Sequence, residues 1–275
     1  MKAAAFDYRR AESAAQAVSL LGAGDGLAKV CGGGQSLAPM LNLRLVQIEQ
    51  LIDLGRIEAL RRVALRGDAL RIGAAVTHAR IEDRELPEVT HGLLPFVAAN
   101  IAYRAVRNRG TVGGSLAHAD PAADWVATMA LLDARILLLG PDGERSLPAA
   151  SFLLGPFTTA LEADEVILAV DVPRFSSGAR WAYRKLCRKP GEFAEAIAAA
   201  WVDPERGVAR VVLGALDGMP HRIDGDAAMA ALLLPSGMNQ ALDAAGIAGE
   251  YEREVHAAML RRALADLDSF ATRIR

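Results

Sequence analysis

The sequence predicts an α+β protein in two unequal parts, and three observations carry that reading. Short apolar runs such as "LAKVC" and "QLIDLG" alternate with helical patterns over the first part of the 275 residues. Longer strand patterns then follow one another, "WAYRKL", "EAIAAAWVD" and "VARVVLGAL", and helices close the chain. Between the two regimes lies "RFSSGAR", whose small polar residues place a boundary near Phe175 to Gly178, dividing the chain into residues 1–177 and 178–275.

The elements follow in order. "AESAAQAVSLL" puts Ala14, Ala17, Val18 and Leu21 on one helical face, and the glycines at 22, 24 and 26 stop the helix. "LAKVC" reads as a buried strand that feeds three consecutive glycines, with a short helix after them. "RRVALRGDALRIGAAV" alternates about Gly67-Asp68 and predicts a β-hairpin. Thr77 offers an N-cap, and helical pattern runs through "LLPFVAANIA" to the basic "RAVRNRG" and a second glycine-interrupted segment, "TVGGS". Pro121 suits the first turn of a helix capped by Asp120, with Trp125, Met129 and Leu132 on its buried side. Pro141-Asp142-Gly143 joins two strands, "EVILAVDVP" is a late strand ending at Pro173, and residues 203–207 form a hairpin turn. "EREVHAAMLRRALADL" is a closing helix.

Composition excludes several function classes. A net charge of −2, from 31 basic and 33 acidic residues, gives no footprint for nucleic acid or anionic lipid. No segment supplies the roughly 18 uninterrupted apolar residues of a membrane span, and "MKAAAFDYRR" lacks a signal-peptide core, so a cytoplasmic address is expected. Cys31 and Cys187 are the only cysteines, too few for a cysteine-ligated iron–sulfur cluster.

Two segments carry chemistry. Successive glycine amides form an anion-binding nest, so Gly32, Gly33 and Gly34 could admit a phosphate or could make a tight turn. Thr111 to Ser115 again combines glycines with hydroxyls, and two such segments could clamp the two phosphates of a dinucleotide. A side chain at Gly33 or Gly114 would then displace phosphate and leave the fold intact. Neither G-x-G-x-x-G nor a P-loop motif is present. Gly34-Gln35-Ser36-Leu37-Ala38 approaches a nucleophile elbow, which keeps a serine hydrolase using Ser36 as an alternative, with His118, His221 or His256 as base. His118, Asp120 and Asp124 have a metal-like look, but such spacings more often belong to caps and surface groups.

Taken together, "GGGQSLAPMLNLRL", "LIDLGRI", "VRNRGTVGGSLAHADPAADW" and "YRKLCRKPGEFAEAIAAA" resemble, in order and spacing, the FAD-binding medium subunit of the molybdenum hydroxylases, the xanthine dehydrogenase and aerobic carbon monoxide dehydrogenase family. The resemblance covers nearly the whole chain. It implies an FAD domain of the p-cresol methylhydroxylase type, with two subdomains, over residues 1–177. A C-terminal domain of antiparallel strands and helices, of the carbon monoxide dehydrogenase flavoprotein type, would follow over 178–275. It also implies noncovalent FAD held by Gly32, Gly33, Gly34, Gln35, Ser36 and Leu37, with Lys29 leading in. Thr111, Val112, Gly113, Gly114 and Ser115 would make the second loop. Asp124 would face the cofactor, Ile167 would pack on the flavin, and Lys185 would reach it from the C-terminal part and favour its reduced, anionic form. Gly32 stands where alanine is usual and Glu192 where aspartate is commoner, and neither change threatens FAD binding.

The same resemblance implies an oxidoreductase subunit with no catalytic residue or metal of its own. Molybdenum-pterin would sit on a large partner subunit and two two-iron two-sulfur clusters on a small one, in a dimer of heterotrimers. Electrons would pass from the clusters to FAD and out to a quinone, NAD or dioxygen, in the cytoplasm or at the inner face of the membrane through partners. The alternative in another class is a scaffold subunit with an empty FAD site.

Overall fold

The computed structural model describes residues 2–273. Residues 1, 274 and 275, at the ends of the two expected parts, lie outside it. The chain begins with β1 (Asp7–Arg10), α1 (Ala14–Gly22), β2 (Ala28–Cys31), α2 (Leu37–Asn42) and β3 (Gln50–Asp53). The three strands form a parallel sheet in the order β1-β3-β2. Ser13 caps α1 by accepting from the Gln16 amide, and Ala17, Val18 and Leu21 bury its apolar face against this sheet.

The hairpin β4 (Val63–Arg66) and β5 (Ala69–Gly73) turns at Gly67, whose φ of +57 suits a residue without Cβ. Five helices follow: α3 (His78–Glu82), α4 (Leu93–Ala99), α5 (Arg104–Arg107), α6 (Val112–His118) and α7 (Asp124–Leu132). Then come β6 (Arg135–Gly140), β7 (Gly143–Pro148), α8 (Ala149–Phe152), the small ribbon of β8 (Leu153–Gly155) and β9 (Thr158–Thr159), and β10 (Val166–Pro173). β10 lies at the centre of an antiparallel sheet ordered β4-β5-β10-β6-β7, reached from β5 across most of the first part of the chain.

The remainder is β11 (Arg180–Leu186), β12 (Ala196–Asp203), β13 (Val208–Gly214) and β14 (His221–Asp224), an antiparallel sheet in sequence order, then α9 (Asp226–Ala231), α10 (Pro235–Ala244) and α11 (Glu250–Arg273). β12 is buried on both faces, which its sequence "AIAAAWVD" makes possible. Ile197, Ala199 and Trp201 join the core shared with α7 and the central sheet, while Ala196, Ala198 and Ala200 face the core under the closing helices. Strand alternation assigns the two sets, and the alanines let helices approach closely.

Helix α7 lies between the central sheet and the last one, and all nine of its residues are buried. A helix apolar all round belongs in a core, and complete burial of Trp125 alone contributes about 3 kcal/mol. Two local expectations are corrected. Pro121 precedes α7 rather than starting it, and Asp120 accepts from the Ala122 amide in a turn, leaving Ala123 at the N-cap. The segment "TVGGS" is no loop but the first turn of α6, capped by Thr111, because its amides find acceptors in the neighbouring strand end.

Candidate cofactor-binding site

Strand β2 delivers Gly32 to Gly34 at the carboxyl end of the parallel sheet. Each glycine has a separate reason to lack a side chain. A Cβ at Gly33 would lie 2.0 Å from the Arg109 carbonyl oxygen and 2.8 Å from Gly110 Cα. One at Gly32 would lie 2.9 Å from Thr111 Oγ1. Gly34 turns the chain at φ +72, over the thiol of Cys31. The two glycine segments are therefore in backbone contact. This corrects the expectation that a side chain at Gly33 would spare the fold, since the space it would take belongs to the second segment.

The two segments differ in what they leave free. Val112 donates to Val76 O at 3.1 Å, Gly113 to Ala74 O at 3.0 Å and Gly114 to Thr111 Oγ1 at 3.1 Å. Val112 and Gly113 are buried, whereas Gly114 and Ser115 are accessible. Among the described residues, none of the amides of Gly32 through Leu37 donates to another protein group. Gln35 donates its side-chain amide to Gly33 O at 3.2 Å, which helps hold the turn. A run of unengaged amides in a loop pinned from behind is a cradle suited to neutral-donor recognition of phosphate oxygens. This is the feature that fits a dinucleotide cofactor.

Beneath the junction lies His78, on α3. Its amide donates to Gly110 O at 3.0 Å, and its Nδ1 accepts from Trp125 Nε1 at 3.0 Å. Burial, with the Arg107 charge nearby, lowers its pKa to about 4, so the imidazole is neutral with its proton on Nε2. Nothing in the sequence pattern singled it out.

Asp124 and Lys185 meet. Lys185 Nζ lies 2.8 Å from Asp124 Oδ2 and 3.2 Å from Asn100 O, and Tyr183 donates to Asp124 Oδ1 at 2.8 Å. Burial pushes the Asp124 carboxyl up, and Lys185 and Tyr183 offset part of that. The Tyr183 hydroxyl is pushed well up, by burial and by the adjacent carboxylate. Tyr183 is a residue the sequence reading missed, although it stands two positions before Lys185 on β11 and so shares its face.

The same lysine borders a cavity of about 340 Å³, walled also by Asn100, Tyr103, Cys187, Pro190 and Gly191. Of the other expected residues, Lys29 is exposed on β2, and Ile167 is buried in the central sheet opposite Leu138, next to a bulge. No triad forms about Ser36, whose hydroxyl bonds no histidine among the described residues. His256 faces Gly214 O and Glu252 O, and the His118 ring lies tilted against Phe157. His221 stands on β14, at the edge of the last sheet, so none of the three bonds Ser36 and the hydrolase alternative has no base among the described contacts.

Comparison with known proteins gives the family. A family model described as the FAD binding domain in molybdopterin dehydrogenase matches residues 4–175. The carbon monoxide dehydrogenase medium chain of Hydrogenophaga pseudoflava is 41% identical over 191 residues, covering 70% of this chain and 67% of the relative. The nicotine 6-hydroxylase medium subunit of Paenarthrobacter nicotinovorans is 35% identical over 228 residues, covering 81% and 79%. In structure, a chain of carbon monoxide dehydrogenase from Hydrogenophaga pseudoflava superposes with a TM-score of 0.88 at 35% identity, over 98% of this chain and 99% of that one. These likenesses and the α+β architecture together assign the family: the chain belongs to the FAD-binding flavoprotein subunits of the molybdopterin dehydrogenases, as a medium subunit like that of carbon monoxide dehydrogenase.

Proposed function

We propose that this subunit takes electrons from iron–sulfur clusters of a small partner subunit and passes them to an external acceptor, while substrate is oxidised at a molybdenum centre on a large partner. The observation that carries the reading is the set of unengaged amides from Gly32 to Leu37, held in shape by the backbone of Arg109 and Gly110. In this reading those amides and the Ser36 hydroxyl receive the pyrophosphate of FAD, with Gly114 and Ser115 on the opposite side. Thr111, Val112 and Gly113 anchor that side, and Lys29 and Gln35 shape the first loop. FAD supplies the redox chemistry. The chain's own residues bind it, orient it and exclude water.

Asp124 and Lys185 have a joint role in this proposal. Tyr183 fixes one carboxylate oxygen, so the other stays on the lysine, and the pair presents a positioned dipole toward the cavity rather than a free positive charge. Ile167 stiffens the central sheet behind the site. We also place the division between an FAD-binding part and a C-terminal part at 177/178, just before β11 opens a new sheet. The names of the relatives, medium chains and subunits of complexes, support assembly with two partners, and a dimer of heterotrimers is the proposed form. No helix among the described residues is long and apolar enough to cross a membrane, and a cytoplasmic complex is the proposed setting.

The test is the visible spectrum of the complex purified from its native host. Flavin absorbance that bleaches when substrate is added, and flavin released in full on denaturation, are expected. A complex without flavin would establish the scaffold alternative instead, and flavin retained on the precipitate would overturn noncovalent binding.

A further inference from the structure

Behind the first glycine segment, four groups stand in series. Trp125 Nε1 donates to His78 Nδ1 at 3.0 Å. The far edge of the imidazole rests on Gly110, where a Cβ would be 2.8 Å from both Cδ2 and Nε2. Gly110 Cα and the Arg109 carbonyl in turn occupy the space that a side chain at Gly33 would need. Backbone ties fix the middle of the series. The His78 amide donates to Gly110 O, the Val112 amide donates to Val76 O, and Thr77 pairs with Thr111 in an antiparallel bridge. The imidazole is thus the side chain that links the core to the wall behind the loop.

The two ends of the series are not equally firm. Trp125 is fully buried on α7, between two sheets. Gly110 lies in the connection from α5 to α6 and has no side chain to anchor it, so a disturbance of the ring is relieved toward the wall. A second proton on the ring is such a disturbance. Nδ1 would then carry a hydrogen facing the Trp125 N–H, two donors with no acceptor between them.

No free carboxylate waits to receive an imidazolium. On α3 itself, Glu82 and Asp83 are held by Arg104 and Arg107, and Arg80 pairs with Glu85. From α5, Arg107 adds positive charge, and it also donates to the carbonyls of Ile101 and Ala102, the second of which takes φ +42. On α7, Asp124 is taken by Lys185. Arg109 is exposed beyond Gly110, and neither α4 nor the first turn of α6 carries a charged residue.

We propose that His78 is a positioning residue for the cofactor: its neutral ring holds the Arg109–Gly110 wall against Gly33, and protonation of that ring frees the wall and releases the flavin while the rest of the fold stands. The inference rests on the reading that the amides of Gly32 to Leu37 hold FAD. Its direction follows from linkage. The closed arrangement keeps the ring neutral down to about 4, whereas a ring freed into water titrates near the ordinary 6.5. The open, flavin-free form therefore binds the proton more readily, and flavin affinity is full above the ordinary value and falls as pH drops from there toward about 4.

The experiment measures the dissociation constant of FAD from the assembled complex, by flavin fluorescence in the filtrate, between neutral pH and about 4.5. Circular dichroism is recorded at each step to follow the fold. In the native complex the constant should rise on acidification, approaching about tenfold per pH unit for one proton, while secondary structure is unchanged. His78→Gln, whose amide oxygen can still accept from Trp125 but takes up no proton, should give a nearly flat profile. Trp125→Phe removes the donor that keeps Nδ1 occupied and should move the fall in affinity about one unit toward higher pH. Equal slopes in the native complex and His78→Gln, or flavin lost only together with secondary structure, would overturn the proposal. An unshifted profile in Trp125→Phe overturns it as well, and that variant decides the matter alone if His78→Gln does not fold. Absence of flavin at neutral pH would remove the FAD reading and this inference with it, whereas flavin held equally across the interval removes the inference and leaves the reading.

Discussion

Asp124 and Lys185 form a buried ion pair, 2.8 Å between carboxylate and ammonium, that joins α7 to β11 across 61 residues of sequence. Both side chains are almost wholly inaccessible, at 5% and 9% exposure. Taking one partner away strands the other charge in a medium that solvates it poorly. Lys185→Met should therefore destabilise the protein by about 3 kcal/mol, and Asp124→Leu by a similar amount. The double variant should cost clearly less than the sum, because no charge is left behind. Urea unfolding of the four proteins gives the coupling, and simple additivity would show that the pair does not act as a unit.

His78 makes stability depend on pH. Its folded pKa of about 4 lies below the ordinary 6.5, so the unfolded chain binds the proton more readily. The stability it confers is full above the unfolded value and falls as pH drops from there through about 4. The loss amounts to about 3 kcal/mol over that interval. Protonation of Nδ1 would also break the bond from Trp125. Unfolding midpoints taken across the interval should fall less steeply in His78→Gln, and an identical slope would assign the dependence to other groups.

Gly33 should tolerate no substitution. Even alanine would bring a Cβ to 2.0 Å from the Arg109 carbonyl, and backbone cannot step aside as a side-chain tip can. Gly33→Ala is expected to lower stability by about 2 kcal/mol or more and to abolish flavin binding together. Gly114→Ala, whose Cβ meets a single side-chain atom, the capping Thr111 hydroxyl, and no backbone of another segment, should lose flavin affinity with a smaller drop in melting temperature. Calorimetry and flavin content separate the two effects.

Arg107 is held on four sides, by both oxygens of Glu82 and by two carbonyls, and is 12% exposed. A lysine cannot reproduce that fork. Arg107→Lys should cost about 2 kcal/mol and increase hydrogen exchange at Ala102 and Tyr103, because the fixed left-handed backbone there would relax. Arg107 also holds the Glu82 carboxyl below its ordinary range, so this contribution is lost on acidification through that lowered value.

Much of the architecture was legible because local signals agreed with it. Gly67-Asp68, Gly143 and Gly207 turn where their sequences say they should, and β12 shows its double burial as an alanine-rich strand without polar alternation. The glycine segments were visible as a pair, but their mutual contact was not, since nothing local in "VCGGGQSL" encodes the Arg109 carbonyl behind it. Asp124 and Lys185 were each named from resemblance, yet their pairing is a tertiary fact, as is the bond from Tyr183 to the other carboxylate oxygen. The first turn of α6 was misread as a loop because two glycines normally weaken a helix. Acceptors from Ala74 and Val76 compensate.

The contact of Gly33 with Arg109 and Gly110 also sets an order of events during synthesis. The first loop emerges with β2 but has no rear wall until the chain has been made through α5. A nascent or truncated chain ending before Arg109 therefore carries the full "GGGQS" signature and no cofactor cradle, and flavin can serve as a checkpoint ligand only for chains that have closed this long loop.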